Sequence, residues 1–283
     1  MAEIIGLIGV GKMGSALLER LTLAGKTVHA FDIKPSAMDG ARDGGAETMG
    51  SAAETAKDAG IVHVFVHNDD QVFNATIEPN GALEGAAPGT IILLHSTILP
   101  ATTQRVAEAA AKKGLHVIDA SVTSVPRLVR AGEATWLVGG PDDIVAIVRP
   151  HLESLGKAVW HFGPLGTGNA AKLTKNMTNV VERVMWAEAL KLAETAGLDP
   201  RQFIDMVLSI SKGPMIKQWE KILHVEDGHV EPGRASGIFS KDMQHAAKLA
   251  RDHGLDLEVS QSAADITARW LGQWAAEKDS EKK

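Results

Sequence analysis

Short apolar runs of strand length recur from Gly6 to about Gly163, separated by segments whose apolar residues return every three or four positions. Those are the two periods that a strand and a helix impose on a buried face. Ile4 to Ile8 and Thr27 to Phe31 read as the first strands, with Lys12 to Ala24 as the helix between them. Ile61 to Val66, Thr90 to Leu94, Leu115 to Ile118, Thr135 to Val138 and Ala158 to Phe162 continue the strand series. Ser51 to Asp58, Ala101 to Lys113 and Asp142 to Leu155 have helical spacing, with Ser51 and Pro141 near their starts. Alternation of this kind predicts the α/β class: a doubly wound parallel sheet with helices on both faces.

After Gly163-Pro164-Leu165-Gly166 the rhythm changes. Neither Gly nor Pro interrupts the chain from Asn169 to Ala196, which predicts one long helix, and Leu173, Met177, Val180, Val184 and Ala187 form its apolar stripe. Pro200, Gly213-Pro214, the stretch Glu226 to Gly237 and Gly254 divide the remainder into shorter helices, and Glu277 to Lys283 is a charged tail. The expected organisation is an α/β domain over 1–164 and an all-α domain over 165–283.

Composition narrows the function classes. The chain of 283 residues carries a net charge of −6 and no block of lysine or arginine, which argues against nucleic acid and anionic membrane surfaces as partners. Cysteine is absent, so disulfides, thiolate nucleophiles and Cys-ligated zinc are excluded, and a cytoplasmic setting is expected. Met1-Ala2-Glu3-Ile4 has no cationic character, and neither signal peptide nor membrane span is expected. The eleven histidines do not form a metal motif: His63 and His67 straddle a strand end, and no H-E-x-x-H occurs.

Candidate chemistry begins at Gly9-Val10-Gly11-Lys12-Met13-Gly14, a G-x-G-x-x-G pattern placed where the first strand turns into the first helix. In that context Gly9 permits the tight turn, Gly11 lets the backbone approach a pyrophosphate and Gly14 lets helix and strand lie close together. Asp32 ends the second strand about 20 residues on, where an acid can bond the adenosine ribose. Its carboxylate would repel a 2′-phosphate, which favours NAD over NADP, although Lys34 could partly accommodate that phosphate. His67 and Asn68 follow the third long strand at its carboxyl end, another place for cofactor contact, or they cap that turn. On the long helix Lys172 and Asn176 share a face with Asn179 and Arg183, either a solvated side or an acid/base pair.

These residues resemble the β-hydroxyacid dehydrogenase family, which includes 3-hydroxyisobutyrate dehydrogenase and tartronate semialdehyde reductase, with 6-phosphogluconate dehydrogenase as a more distant relative. The likeness covers nearly the whole chain. Gly6 to Gly14 is similar to the family's opening motif, Ser96-Thr97-Ile98-Leu99-Pro100 to its S-T-x-x-P turn, and Asp119 to Gly132 to its substrate segment. Gly166 to Lys172 resembles the catalytic segment and Phe239-Ser240-Lys241-Asp242 the late Lys-Asp motif. The resemblance implies a Rossmann domain joined by a long interdomain helix to an all-α substrate and oligomerisation domain, and a homodimer or homotetramer. It implies that Lys172 is the general acid/base, that Asn176 positions it or the substrate hydroxyl, and that Thr97 and Lys241 touch the nicotinamide end. Thr123 stands in place of the substrate-binding Ser, while Ser124 and Val125 replace two glycines of the family's loop, so the identity of the hydroxy acid does not carry over. The rivals are an imine reductase on the same fold and a non-catalytic dinucleotide-binding module.

Overall fold

The computed structural model describes residues 4–210, 224–226, 229–231, 251, 254–266 and 268–269. The chain divides into two compact units, Met1–Asn176 and Met177–Lys283. In the first, strands β1 (Ile4–Ile8), β2 (Thr27–Phe31), β3 (Glu47–Thr48), β4 (Ile61–Val64), β5 (Ile91–Leu94), β6 (His116–Thr123), β7 (Thr135–Gly139) and β8 (Ala158–His161) form one sheet. Their order is β3-β2-β1-β4-β5-β6-β7-β8. The order reverses between β1 and β4, and the crevice beyond the carboxyl ends of those strands is where an open α/β sheet takes its ligand.

Eight helices accompany this sheet before the long one: α1 (Lys12–Leu23), α2 (Pro35–Asp43), α3 (Ala52–Ala56), α4 (Asp69–Thr76), α5 (Ala82–Gly85), α6 (Pro100–Ala111), α7 (Pro126–Arg130) and α8 (Asp142–Leu155). They bury the two sheet faces in separate clusters. Leu17, Leu21, Ile118, Trp136 and Leu152 lie in one, and Val62, Val64, Ile92, Leu94 and Val106 in the other.

The structure departs from the expected all-parallel sheet at its end. β1 to β6 are parallel, but β7 pairs antiparallel with β6, and β8 runs parallel to β7. The link between β6 and β7 covers only 124–134 and includes the five-residue α7. That falls short of the dozen or so residues a parallel crossover needs, so the chain turns back. β6 also runs on to Thr123, five residues beyond the expected strand end, because its last five residues pair with β7.

The long helix α9 (Thr167–Thr195) begins in the first unit and continues into the second, where α10 (Pro200–Ile210) follows. In the second unit the Glu188 carboxylate accepts the N–H groups of Val259 and Ser260 at 2.8 Å, at the start of a helical run over 258–266. Strands β9 (His224–Glu226) and β10 (His229–Glu231) pair antiparallel, a small hairpin where helices and a loop were expected. The repeated His-Val-Glu around Asp227-Gly228 is its signal, since Asp-Gly between alternating residues favours a two-residue hairpin turn. Lys241 with the Phe239 to Asp242 motif, the Gly213-Pro214 break and the tail lie outside the described residues, as do the side chains of Met177, Asn179, Val180, Arg183, Val184 and Ala187. Among the described residues no helix is long and apolar enough to cross a membrane.

Candidate active site

Three strand ends meet at the glycine loop. Gly9 has φ +88°, its N–H donates to the Phe31 carbonyl at 2.8 Å, and a Cβ there would lie 2.1 Å from the Phe65 carbonyl oxygen. A Cβ on Gly14 would lie 2.0 Å from the Gly9 oxygen. Gly11 is different, because a Cβ there would meet nothing within 4 Å. No packing demand of the protein requires glycine at 11, so the open space above it is a cradle that a side chain would fill. Gly11 also caps α1 without a side chain, and no acid occupies the first turn. The leading N–H groups of Lys12, Met13 and Gly14 therefore lack intrahelical acceptors and face that space with the positive end of the helix dipole, which fits a dinucleotide pyrophosphate.

Asp32 braces this loop. One carboxylate oxygen accepts the Val10 N–H at 2.8 Å and the other the Lys34 N–H at 2.9 Å. This holds the acid at the carboxyl end of β2, beside the loop.

The next two loops are tied to each other. The Ser96 hydroxyl donates to the Val66 carbonyl at 2.7 Å and accepts the Val66 N–H at 3.1 Å. Asp69 accepts the Leu99 N–H at 3.1 Å and the Thr102 hydroxyl. Asn68 caps α4, accepting the Gln71 N–H at 2.9 Å, while the His67 N–H donates to the Gln71 side chain at 2.8 Å. The His67, Asn68 and Thr97 residues are exposed at the carboxyl ends of β4 and β5.

Thr123 closes β6 opposite Thr135 and is partly buried. Ser124 follows, and the exposed Val125 caps α7 in an extended conformation with φ −117°. No residue from 123 to 125 has a positive φ, so side chains replace glycine there without strain. Val129 is fully buried in the core.

Lys172 and Asn176 lie one turn apart on α9, both partly buried, while Lys175 is exposed. Burial pushes the Lys172 amine below its ordinary value of 10.5, and the positive Lys175 pushes it the same way. Asp119, which the sequence marks only as the start of the substrate-like segment, anchors this helix. Its two oxygens accept the N–H groups of Gly166 and Asn169, each at 2.7 Å. Burial raises the Asp119 carboxyl above 3.8, and the N–H groups of Gly166, Asn169 and Gly168 act against that by stabilising the charged form. A lone acid inside the apolar run of β6 was the available signal, since such a residue is almost never buried without partners.

Three histidines, on β4, just after β5 and on α8, also meet, although their spacing gave no hint of it. His63 Nδ1 lies 2.8 Å from His95 Nε2, His63 Nε2 lies 2.9 Å from His151 Nε2, and His95 Nδ1 lies 2.6 Å from the Ala120 carbonyl. The carbonyl only accepts, so His95 donates to it, His63 donates to His95 and His151 donates to His63. Among the described residues no group of His, Asp or Glu is placed to hold a metal ion.

Comparison with known proteins agrees with this geometry. Residues 4–163 match the family profile described as the NAD binding domain of 6-phosphogluconate dehydrogenase, and residues 166–282 the one described as NAD-binding of NADP-dependent 3-hydroxyisobutyrate dehydrogenase. The NAD-dependent L-serine dehydrogenase of Pseudomonas aeruginosa is 31% identical over 264 residues, covering 93% of this chain and 87% of that one. The 3-hydroxyisobutyrate dehydrogenase of the same organism is 35% identical over 209 residues, covering 74% and 70%. An imine reductase from Myxococcus stipitatus superposes with a TM-score of 0.79 at 17% identity, covering 96% of this chain and 94% of that one, a likeness of fold alone. Because the two profiles reach from residue 4 to residue 282 and the serine dehydrogenase aligns with nearly the whole chain, the protein belongs to the β-hydroxyacid dehydrogenase family of NAD-dependent oxidoreductases.

Proposed function

We propose that the protein interconverts a small β-hydroxy acid and its semialdehyde or keto form, with Lys172 as general acid/base. The observation that carries this reading is the partly buried Lys172, its proton affinity lowered, on a helix pinned at its first turn to the strand that ends in Thr123. Gly9, Val10, Gly11, Lys12, Met13, Gly14, Asp32, His67, Asn68, Thr97 and Lys241 hold the cofactor. NAD, when bound, supplies the nicotinamide carbon that exchanges a hydride with the substrate carbon.

In oxidation neutral Lys172 Nζ takes the substrate hydroxyl proton, and in reduction the ammonium returns a proton to the carbonyl oxygen. Depressing the amine's proton affinity raises the neutral fraction at physiological pH, which is what the oxidative direction needs. Asn176, one turn on, orients the reacting oxygen by hydrogen bonding. The Thr123 hydroxyl and the loop at Ser124 and Val125 receive the substrate carboxylate, and the added side chains shape the site for a substrate of this chain's own.

A panel of 3-hydroxy acids and their semialdehydes, assayed with NAD and NADP, tests the reading. NAD-linked turnover of at least one hydroxy acid is expected. Turnover of a cyclic imine with no hydroxy acid accepted would mark an imine reductase, and NADH binding without turnover across the panel would mark a binding module. The absence of cysteine supports a cytoplasmic setting. Exposed Met206, Leu208 and Ile210 on α10 support a homodimer or homotetramer, which a monomeric sedimentation profile would contradict.

A further inference from the structure

We propose that Asn169, together with Asp119, is a positioning unit that sets Lys172 relative to the turn bearing Thr97 and the strand bearing Thr123, an inference that rests on Lys172 being the acid/base. The Asn169 side chain, fully buried, accepts the Thr103 hydroxyl at 2.7 Å and donates to the Ser121 hydroxyl at 3.2 Å, while its backbone N–H donates to Asp119. Thr103 lies in the first turn of α6, just after the Thr97 turn, and Ser121 lies in β6, two residues before Thr123. One amide thus joins the elements that carry three parts of the site, and Lys172 follows it by less than one helical turn.

The joint tolerates no aliphatic substitute of similar size. Thr103 needs an acceptor and the Asn169 amide nitrogen a hydroxyl, so an aliphatic side chain at 169 would strip buried partners from both neighbours. Backbone approach is equally tight. A Cβ on Gly168 would lie 2.4 Å from the Leu137 carbonyl oxygen and 2.8 Å from Asp119 Oδ2, and one on Gly139 would lie 2.7 Å from Asp119 Oδ1. The start of α9 therefore has one register against the β6 and β7 pair.

The Asp119 carboxylate serves stability by accepting helix-start N–H groups that would otherwise be buried without acceptors. What a fully satisfied polar network adds is a unique position. A slip of one residue along α9 would swing Lys172 by about 100° around the helix axis, and displacements of even 1 Å at reacting atoms cost about 10² in rate.

Asp119→Asn and Asn169→Leu test the unit through four readouts: thermal midpoint, NADH affinity by fluorescence, kcat with its isotope effect on 4-deuterated NADH, and the pH dependence of Lys172 acetylation followed by mass spectrometry. The folded variants are expected to lose about 10- to 100-fold in kcat with NADH affinity within about 2-fold of wild type, a larger isotope effect, and an acetylation profile moved to higher pH as the amine regains solvent. Wild-type kcat and an unmoved acetylation profile in folded variants, whatever happens to the midpoint, would overturn the proposal. Should both variants fail to fold, Thr103→Val, which deletes a single hydrogen bond, takes their place; a kcat several-fold lower with a moved profile supports the unit, and no change in either overturns it. The acetylation readout needs no turnover, so it decides the matter even if Lys172→Ala shows that the amine is not the acid/base.

Discussion

A methyl group added at Gly9 would sit 2.1 Å from the Phe65 carbonyl oxygen at φ +88°, whereas one added at Gly11 would meet nothing within 4 Å. The two positions therefore fail differently. Gly9→Ala is expected to cost at least about 2 kcal/mol of stability in urea unfolding. Gly11→Ala is expected to leave stability within about 0.5 kcal/mol and to weaken NADH binding about 10-fold or more. Equal effects on folding at both sites would contradict the cradle. A second residue-scale prediction concerns Lys172. Burial is the first cause of its lowered proton affinity and the Lys175 charge the second, so removing that charge in Lys175→Gln favours the ammonium and raises the Lys172 pKa. The limb of the pH profile that reports this amine should move to higher pH in both directions, oxidation requiring the neutral form and reduction the charged one; a limb that moves down or stays would contradict it. Spacing made the strand-to-helix turn at Gly9 to Gly14 and the place of Asp32 just after β2 legible, because both are set by local geometry, whereas for Lys172 and Asn176 it gave only a shared helix face. Asp119 and Asn169 were not legible, because their partners lie 47 and 66 positions away in sequence, at Gly166 and Thr103.

Among the elements, β4, the end of β5 and α8 carry the histidine array, which ends on the Ala120 carbonyl of β6. Burial lowers His63 first, with the neighbouring His95 and His151 charges adding to it, and burial lowers His95 to about 3 despite its bond to the Ala120 carbonyl. Both imidazoles are neutral in the fold and would gain a proton at about 6.5 when unfolded. Their contribution to stability is therefore complete above about pH 6.5 and is lost as pH falls toward the folded values, about 3 for His95. Each withdraws up to about 1.4 kcal/mol per pH unit in that window. Urea midpoints should fall measurably between about pH 6.5 and 5, before most carboxylates titrate, and a flat profile there would contradict a neutral buried array. The strand pattern predicted the seven longer strands but not the reversal of β7 and β8, because periodicity reports which face is buried and says nothing of direction. For β9 and β10 the sequence carries only the Asp227-Gly228 signal, because three residues to a strand are too few for alternation to show.

For the whole molecule, the dinucleotide loop, the Thr97 turn, Thr123 and Lys172 all lie in the first unit, Met1–Asn176. The glycine loop, Asp32 and the two family profiles explain why the chain takes NAD, but an enzyme needs a group that moves the proton opposite the hydride. The proposed group is Lys172, and the most direct test is Lys172→Ala assayed on the hydroxy acid that the substrate panel yields, with NADH affinity measured alongside. The expected result is a kcat lower by about 10² to 10⁴ with NADH binding within about 2-fold of wild type. Turnover at the wild-type rate would contradict the account.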